Sequence, residues 1–240
     1  MKKLYITAIS FFVLSAIYGQ KNEYSLNLNS GLFSFGGSSA EKNSIIFYYD
    51  GDLLGHSYTN NPYGSKNGLC YGISGTLKHI SKKKFIAGAE LGYERLRSKI
   101  TITDVVFPIS SSVTGYSVTG GKTFLNYDFI NLHPYLGRRY TIKSTVTVDL
   151  TAGMDFAFCL GAREKGKAPA PNGITYTTSV DRKTINTDFR PRLQVAAGYK
   201  KYGVYAGYSL GGLKNYKAGY VGGVNECYGR LWRLGVSYLL

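Results

Sequence analysis

The sequence predicts an all-β protein, an eight-stranded antiparallel up-and-down transmembrane β-barrel. Three observations support this fold class. Apolar residues recur at every second position along eight segments, the segments are joined alternately by short and long connections, and no apolar run after residue 17 is long enough for a membrane helix. Gly at 30 of 240 residues, Tyr at 22 and only 18% charged residues argue against a helical bundle and against disorder.

The N-terminus is typical of a secretory signal peptide. Lys2 and Lys3 precede an apolar run over 4–17, and Gly19 supplies a small residue after it. We expect residues 1–19 to be removed, although cleavage after Ala16 also fits, and 20–240 to form one barrel domain. An apolar strand or buried helix is the alternative. Loss of the two lysines takes the net charge from +15 to +13, and export argues against a nucleic-acid partner.

The strands follow from strict alternation. From Val146 to Leu160 the even positions are apolar, and the odd positions carry Thr, Asp, Gly, Ala and Cys. Pro134 and Pro191 fall within strands, where we expect local bulges or ladder defects. The predicted strands are 23–36, 67–80, 84–100, 123–140, 144–161, 184–200, 202–216 and 226–240.

The connections differ between the two ends of the barrel. Three turns are short, at 81–83, 141–142 and 200–201. Short turns mark the periplasmic end, so both termini should lie there and the other connections should be surface loops. Because these loops are rich in Tyr, Ser and Thr, we expect them to contact a protein partner, with passive shielding of the barrel mouth as the alternative. The long connections are 37–66, 97–122, 161–183 and 217–225.

The apolar face is predicted to meet lipid. The polar face is rich in Gly, Ser and Thr, which suit a narrow lumen, whereas a solvated outer face would carry more Lys and Glu. Aromatic residues also cluster near both ends of the apolar face, as in membrane-interface girdles. A soluble lipocalin-like barrel with the apolar face inside is the alternative. The girdle residues are Tyr24, Phe85, Tyr199 and Tyr238 at one end, and Tyr71, Tyr93, Phe158, Phe189 and Trp232 at the other.

The chain ends within its last strand, at Leu240. The alternating residues Trp232, Leu234, Val236 and Tyr238 resemble the C-terminal signal of Gram-negative outer-membrane proteins, with Leu240 in place of the usual terminal aromatic residue. The segment 126–134, NYDFINLHP, looks like the tyrosine-containing, Pro-ending fourth strand of PorT-like outer-membrane β-barrel proteins of Bacteroidetes, and differs from it in His133.

The overall layout also resembles that PorT-like family. The resemblance implies an outer-membrane location in a Gram-negative bacterium and no single activity. It also allows a role as an accessory membrane subunit of a protein secretion machine.

Strand parity places eight charged residues in the lumen. Buried charges need partners, and an eight-stranded barrel has room only for side chains. We therefore expect a structural salt-bridge network, with a narrow gated pore or a proton site as the alternative. The residues are Glu90, Glu94, Asp149, Asp155, Arg139, Arg190, Arg192 and Arg233.

Cys70, Cys159 and Cys227 share inward parity near the long-loop end. An odd count in an exported chain leaves at least one thiol unpaired. The sequence allows one disulfide or three small luminal residues. No Cys spacing indicates zinc, and no metal or cofactor is expected.

A basic group on the apolar face suggests contacts with lipid phosphates. Arg95, Arg97, Lys214 and Arg230 fall near the long-loop end, where lipopolysaccharide presents phosphate oxygens that Arg binds well. A solvated rim above the bilayer is the alternative. The expected partners are therefore outer-membrane lipid and lipopolysaccharide.

The sequence offers little for catalysis. It contains no GxSxG elbow, Walker loop or HExxH motif, and His133 stands alone on the luminal face. We expect a non-enzymatic structural or interaction protein with long surface loops. The alternatives are the secretion subunit, an outer-membrane lipid-modifying enzyme that uses His133, and the soluble binder.

Overall fold

A computed structural model describes residues 21–49, 57–109, 112–143, 145–211, 216 and 227–240, and the signal peptide, loop 217–225 and Lys214 lie outside them. Among the described residues, no helix is long and apolar enough to cross a membrane. This part of the chain forms eleven strands. They are β1 (Lys21–Gly36), β2 (Asn43–Phe47), β3 (Tyr58–Thr59), β4 (Lys66–Ile80), β5 (Phe85–Ile109), β6 (Ser112–Lys143), β7 (Val146–Pro169), β8 (Thr175–Asp181), β9 (Thr187–Tyr199), β10 (Tyr202–Leu210) and β11 (Tyr228–Leu239).

Eight of these strands close into a ring, which confirms the predicted fold. The order around the ring is β1, β4, β5, β6, β7, β9, β10 and β11, and every neighbouring pair is antiparallel. β1 closes on β11 in a continuous register from Ser25 opposite Leu239 to Gly36 opposite Tyr228. Closure pairs the backbone of every strand on both sides, as a lipid environment requires.

The apolar face points outward, as predicted. Leu193 and Leu234 are 67% and 66% exposed, whereas Arg190 on the opposite face is fully buried. A lipocalin-like barrel would show the reverse arrangement. The aromatic residues Tyr24, Tyr71, Phe158, Tyr199 and Trp232 are exposed on the outer face, as expected of interface girdles.

Two predicted loops are strands instead. Segment 97–122 continues the β5–β6 hairpin, which stays paired up to Ile109 opposite Ser112. Segment 161–183 contains the end of β7 and all of β8, paired from Arg163 to Pro169. The Thr- and Ser-rich composition suggested loops, but β-branched residues alternate there with polar ones, for example over 99–103, and such patterns favour strands.

Neither proline forms a bulge, but the β6–β7 ladder is interrupted at Pro134, which is one of the predicted ladder defects. The β6–β7 register is the same on both sides of Pro134, and Pro191 stays opposite Met154. Each proline lacks one N–H donor, but this loss inserts no extra residue into the strand. Register shifts occur elsewhere, at Asp128/Phe129 and Ile102/Asp104.

The continued strands build a folded unit beyond the barrel, which we call the extension. It consists of β2, β3 and β8 together with Lys66 and residues 97–109, 112–126 and 162–170. β2 runs parallel to β5, so segment 37–66, which was also expected to be a loop, supplies two strands to it. The extension has an apolar core of its own: Ile46, Ile100, Ile102, Val105, Val118, Ala168, Ala170 and Tyr176.

Two tyrosines lie flat against glycines inside the barrel. Tyr205 is paired across the strands with Gly235, and Tyr135 with Gly88. A Cβ at residue 235 would lie 2.3 Å from Cζ of Tyr205, and one at residue 88 would lie 2.5 Å from Cζ of Tyr135. Glycine is therefore required so that the ring can fill the lumen.

We expect Gly235→Val to lower the free energy of unfolding by about 1–3 kcal/mol, because the Tyr205 ring must move within a filled lumen. Urea unfolding of the detergent-solubilised chain, followed by heat-modifiable gel migration, measures this change. The matched control is Gly75→Val, since a Cβ at that exposed position meets no atom within 4 Å. Equal midpoints for the two variants would contradict the prediction.

Candidate functional site

The lumen is filled by layers of paired side chains. At the short-turn end, the Arg139 guanidinium donates to both oxygens of Glu23 at 2.8 Å and to both oxygens of Asp149 at 2.7 and 2.8 Å. Lys78 Nζ donates to Asp149 at 2.7 Å. These groups line a vestibule of about 320 Å³ that opens at the short-turn end, where its lining includes Lys200 and Lys201. Two bidentate contacts fix Arg139 firmly between its carboxylates.

A second layer sits deeper and is almost completely buried. Arg233 Nη2 lies 2.6 Å from Glu94 and 3.0 Å from Asp155, and Arg190 also donates to Glu94. Arg192 Nη1 lies 3.3 Å from Glu90 and 3.6 Å from Asp155. These residues come from β5, β7, β9 and β11, so the network joins opposite walls of the barrel. All eight predicted luminal charges thus lie inside, in two groups.

His133 belongs to this second layer. Its Nδ1 lies 3.0 Å from Asp155, its ring stacks on Tyr135 at 5.3 Å between centroids, and the side chain is 2% exposed. The Ser209 hydroxyl donates to the other oxygen of the same carboxylate at 2.8 Å. Both groups therefore lie against Asp155, as parts of a buried network.

Sequence reasoning missed four members of these layers: Glu23, Lys78, Asp188 and Tyr216. Asp188 is buried, accepts a hydrogen bond from the Tyr216 hydroxyl at 2.7 Å and lies 3.7 Å from Arg190. Strand parity could have found Asp188, because it shares a face with Arg190 and Arg192 on β9. The predicted strand 202–216 gave Tyr216 outward parity, but the observed strand β10 ends at Leu210 and Tyr216 is buried.

Aromatic side chains close the lumen on the long-loop side of the charges. Phe35 makes edge contacts with Phe33, Tyr63 and Tyr216, with ring centroids 5.0 to 5.2 Å apart. Tyr127 packs on Tyr216 at 5.3 Å. Burial raises the pKa of Tyr63, which lies between β3 and β4, to about 12, so its phenol stays neutral. The aromatic plug comprises Phe33, Phe35, Tyr63, Tyr127, Phe129 and Tyr216.

The possible disulfide is not formed. Cys70, Cys159 and Cys227 are all free and buried, and they pack in the same cluster as the aromatic plug. The structure therefore matches the alternative of three small luminal residues. Among the described residues, no three His, Cys, Asp or Glu side chains come together as a metal site.

The expected lipid-phosphate group is only partly available. Arg95 already has a protein partner, because its guanidinium donates to Asp128 through two contacts of 2.7 and 2.8 Å. Arg97 donates to Asn126 at 2.8 Å, and Arg230 donates to the Tyr228 hydroxyl at 3.0 Å. These two keep their charge on the outer face. Lys214 lies outside the described residues.

Comparisons with known proteins show similarity in fold alone. No family model and no curated protein sequence matches the chain. Among solved structures, Neisserial surface protein A is similar at 12% identity and a TM-score of 0.40, covering 92% of this chain and 98% of that one. Ail, the attachment invasion locus protein of Yersinia pestis, was solved with the heparin analogue sucrose octasulfate and gives 11% identity, a TM-score of 0.36 and coverage of 92% and 99%. The outer-membrane protease OmpT of Escherichia coli is similar at 12% identity and a TM-score of 0.35, covering 94% of this chain and 98% of that one.

We expect Glu94→Gln to lower the free energy of unfolding by about 3–5 kcal/mol, because Arg190 and Arg233 then keep buried charge with one carboxylate fewer. Urea midpoints in detergent measure the change. Glu41→Gln, at an exposed position, is the charge-matched control. The double variant Glu94→Gln/Arg190→Met should recover part of the loss. A single variant as stable as the control would contradict a structural role for the network.

Proposed function

We propose that this protein is a non-enzymatic interaction barrel of the outer membrane, which anchors the extension as a rigid binding surface outside the cell. One observation carries the proposal: the lumen is filled with paired side chains, while the strands of the barrel wall continue without a break into the extension. Surfaces held on rigid elements present their side chains precisely to a partner. The filled lumen supports a role outside the barrel rather than transport through it.

The burial of His133 supports the non-enzymatic assignment. At 2% exposure it has no open surface toward lipid, and its Nδ1 lies 3.0 Å from the buried Asp155 carboxylate. A lipid-modifying enzyme would need a nucleophile and a base that reach the substrate together. In the lumen, the polar side chains form hydrogen bonds and ion pairs with one another instead.

The location and processing of the chain are part of the same proposal. A signal peptide over 1–19 would deliver the chain to the periplasm, and the closed barrel with its outward apolar face suits the outer membrane. Membership of the PorT-like family, suggested by the overall layout and segment 126–134, would agree with that location. An accessory role in a secretion machine is the second candidate, favoured by the vestibule, whose wall includes Lys21, Lys200 and Lys201 at the short-turn end.

In planar bilayers we expect the purified chain to show no conductance above leak, because the charge layers and the aromatic plug fill the lumen. Arg190→Ala/Arg233→Ala, which removes two large side chains from the lumen, should raise the leak if it folds. Unitary current steps from the unmodified chain would contradict the proposal.

We expect a photo-crosslinker at Thr177, exposed on β8, to capture more material in living cells than one at Lys83 in the β4–β5 turn. The extension is the proposed contact surface, whereas the turn faces the periplasm. Denaturing gels of the purified barrel measure the adducts. Protein adducts from Lys83 alone would favour the secretion subunit over the interaction barrel.

A further inference from the structure

The outer face of the extension carries a continuous group of cations. On β5, β6 and β7 the residues alternate with buried ones, so their side chains point away from the extension core, and Lys66 on β4 joins them through the Thr101 hydroxyl. We call this group the cationic face. It consists of Lys66, Arg97, Lys99, Lys122, Arg163, Lys165 and Lys167.

The register sets like charges directly opposite each other. Lys66 pairs across the strands with Lys99, and Lys122 pairs with Lys167. Such like-charge pairs destabilise a sheet unless an anion lies between or above them. Lys66 donates to the Thr101 hydroxyl, which holds its ammonium group on this face.

Few carboxylates of the described chain offset these charges. Asp181 lies opposite Arg163 at one edge, and Asp104 lies higher on β5, where the Ser117 hydroxyl donates to it at 2.8 Å. Glu164 points inward, is fully buried and pairs with Arg182 at 2.8 Å. The centre of the cationic face is therefore uncompensated.

An aromatic ring lies in the middle of the face. Phe124 is opposite Lys99 on one side and Lys165 on the other. The Arg97 guanidinium and the Lys122 ammonium lie 5.3 and 5.9 Å from its ring centroid. Hydroxyls of Thr101, Thr177 and Ser179 lie in the same rows. Cations, an aromatic platform and hydroxyls together suit a sugar that carries anionic groups better than they suit an acidic peptide.

The position of the face points to the source of that sugar. On β5 the lipid-facing Leu91 and the girdle residue Tyr93 are followed on the same side by Arg97 and Lys99. The six residue-to-residue steps from Tyr93 to Lys99 span roughly 20 Å along the strand and roughly 15 Å along the membrane normal at the usual tilt. The cations thus rise from the membrane interface through the layer where glycolipid head groups lie.

We propose that the cationic face binds the phosphorylated saccharide head group of the outer-leaflet glycolipid surrounding the barrel. This inference rests on the proposed function and names the partner of the extension. The like-charge pairs hold the phosphate groups, and Phe124 packs against a sugar ring between them. The glycolipid neutralises the face and fixes the extension against the membrane surface.

The test uses the full mature chain in neutral detergent and fluorescence anisotropy of labelled lipopolysaccharide with a phosphorylated core. Lys99, Lys122, Lys165 and Lys167 are changed together to Gln. The charge-matched control changes Lys82, Lys83, Lys200 and Lys201 to Gln at the other end. Heat-modifiable migration verifies that both variants fold. We expect the face variant to bind at least about tenfold more weakly, with the control close to the unmodified chain.

Three further measurements complete the test. Dephosphorylated lipopolysaccharide should bind weakly, binding to the phosphorylated form should weaken as salt is raised, and Phe124→Ala should weaken it severalfold. Equal binding by the face variant, or equal loss in the control, overturns the inference. A chain that binds soluble heparin but not the glycolipid overturns it in favour of a free polyanion. Each of these failures leaves the proposed function standing, whereas a conducting barrel contradicts the proposed function whatever the face binds.

Discussion

Ring closure is the constraint on which the rest of the structure depends. Once β1 pairs with β11, each side chain of the barrel wall must point either to lipid or to a lumen only wide enough for side chains. Charges cannot face lipid without a large cost, so they are driven inward and must pair there. The two charge layers, the glycines beneath tyrosine rings and the outward leucines all follow from this partition.

The same partition ends where the strands leave the membrane. Along the extension the inward positions become Ile and Val, and the outward positions become Lys, Arg and Thr, as in a soluble protein. β5 therefore passes from a lipid-facing wall to a water-facing sheet with the apolar side reversed. Leu91 and Arg97 lie on the same side of β5, the first facing lipid and the second facing water.

The period of two predicted most of the barrel, and it also assigned Glu94, Asp155, Arg190 and Arg233 to the lumen. It did so because parity is a local property that lipid enforces on every strand. The loop predictions over 97–122 and 161–183 were wrong because polar composition outweighed the alternation of Ile100 and Ile102. The partners within the lumen could not be predicted, since Glu94 and Arg233 are 139 residues apart and meet only through ring closure. Nor did any local pattern reveal the pairing of Arg95 with Asp128.

The distribution of the second charge layer has a consequence for assembly. Three of its acidic members, Glu90, Glu94 and Asp155, lie on β5 and β7, and the arginines that neutralise them lie on β9 and β11. A chain inserted without its last strand would present unmatched carboxylates in the membrane as well as unpaired backbone groups at an open edge. Both deficits disappear in the same step, when β11 docks on β1. Insertion and closure are therefore energetically one event, in which Arg233 of the final strand completes the neutralisation of Glu94 and Asp155.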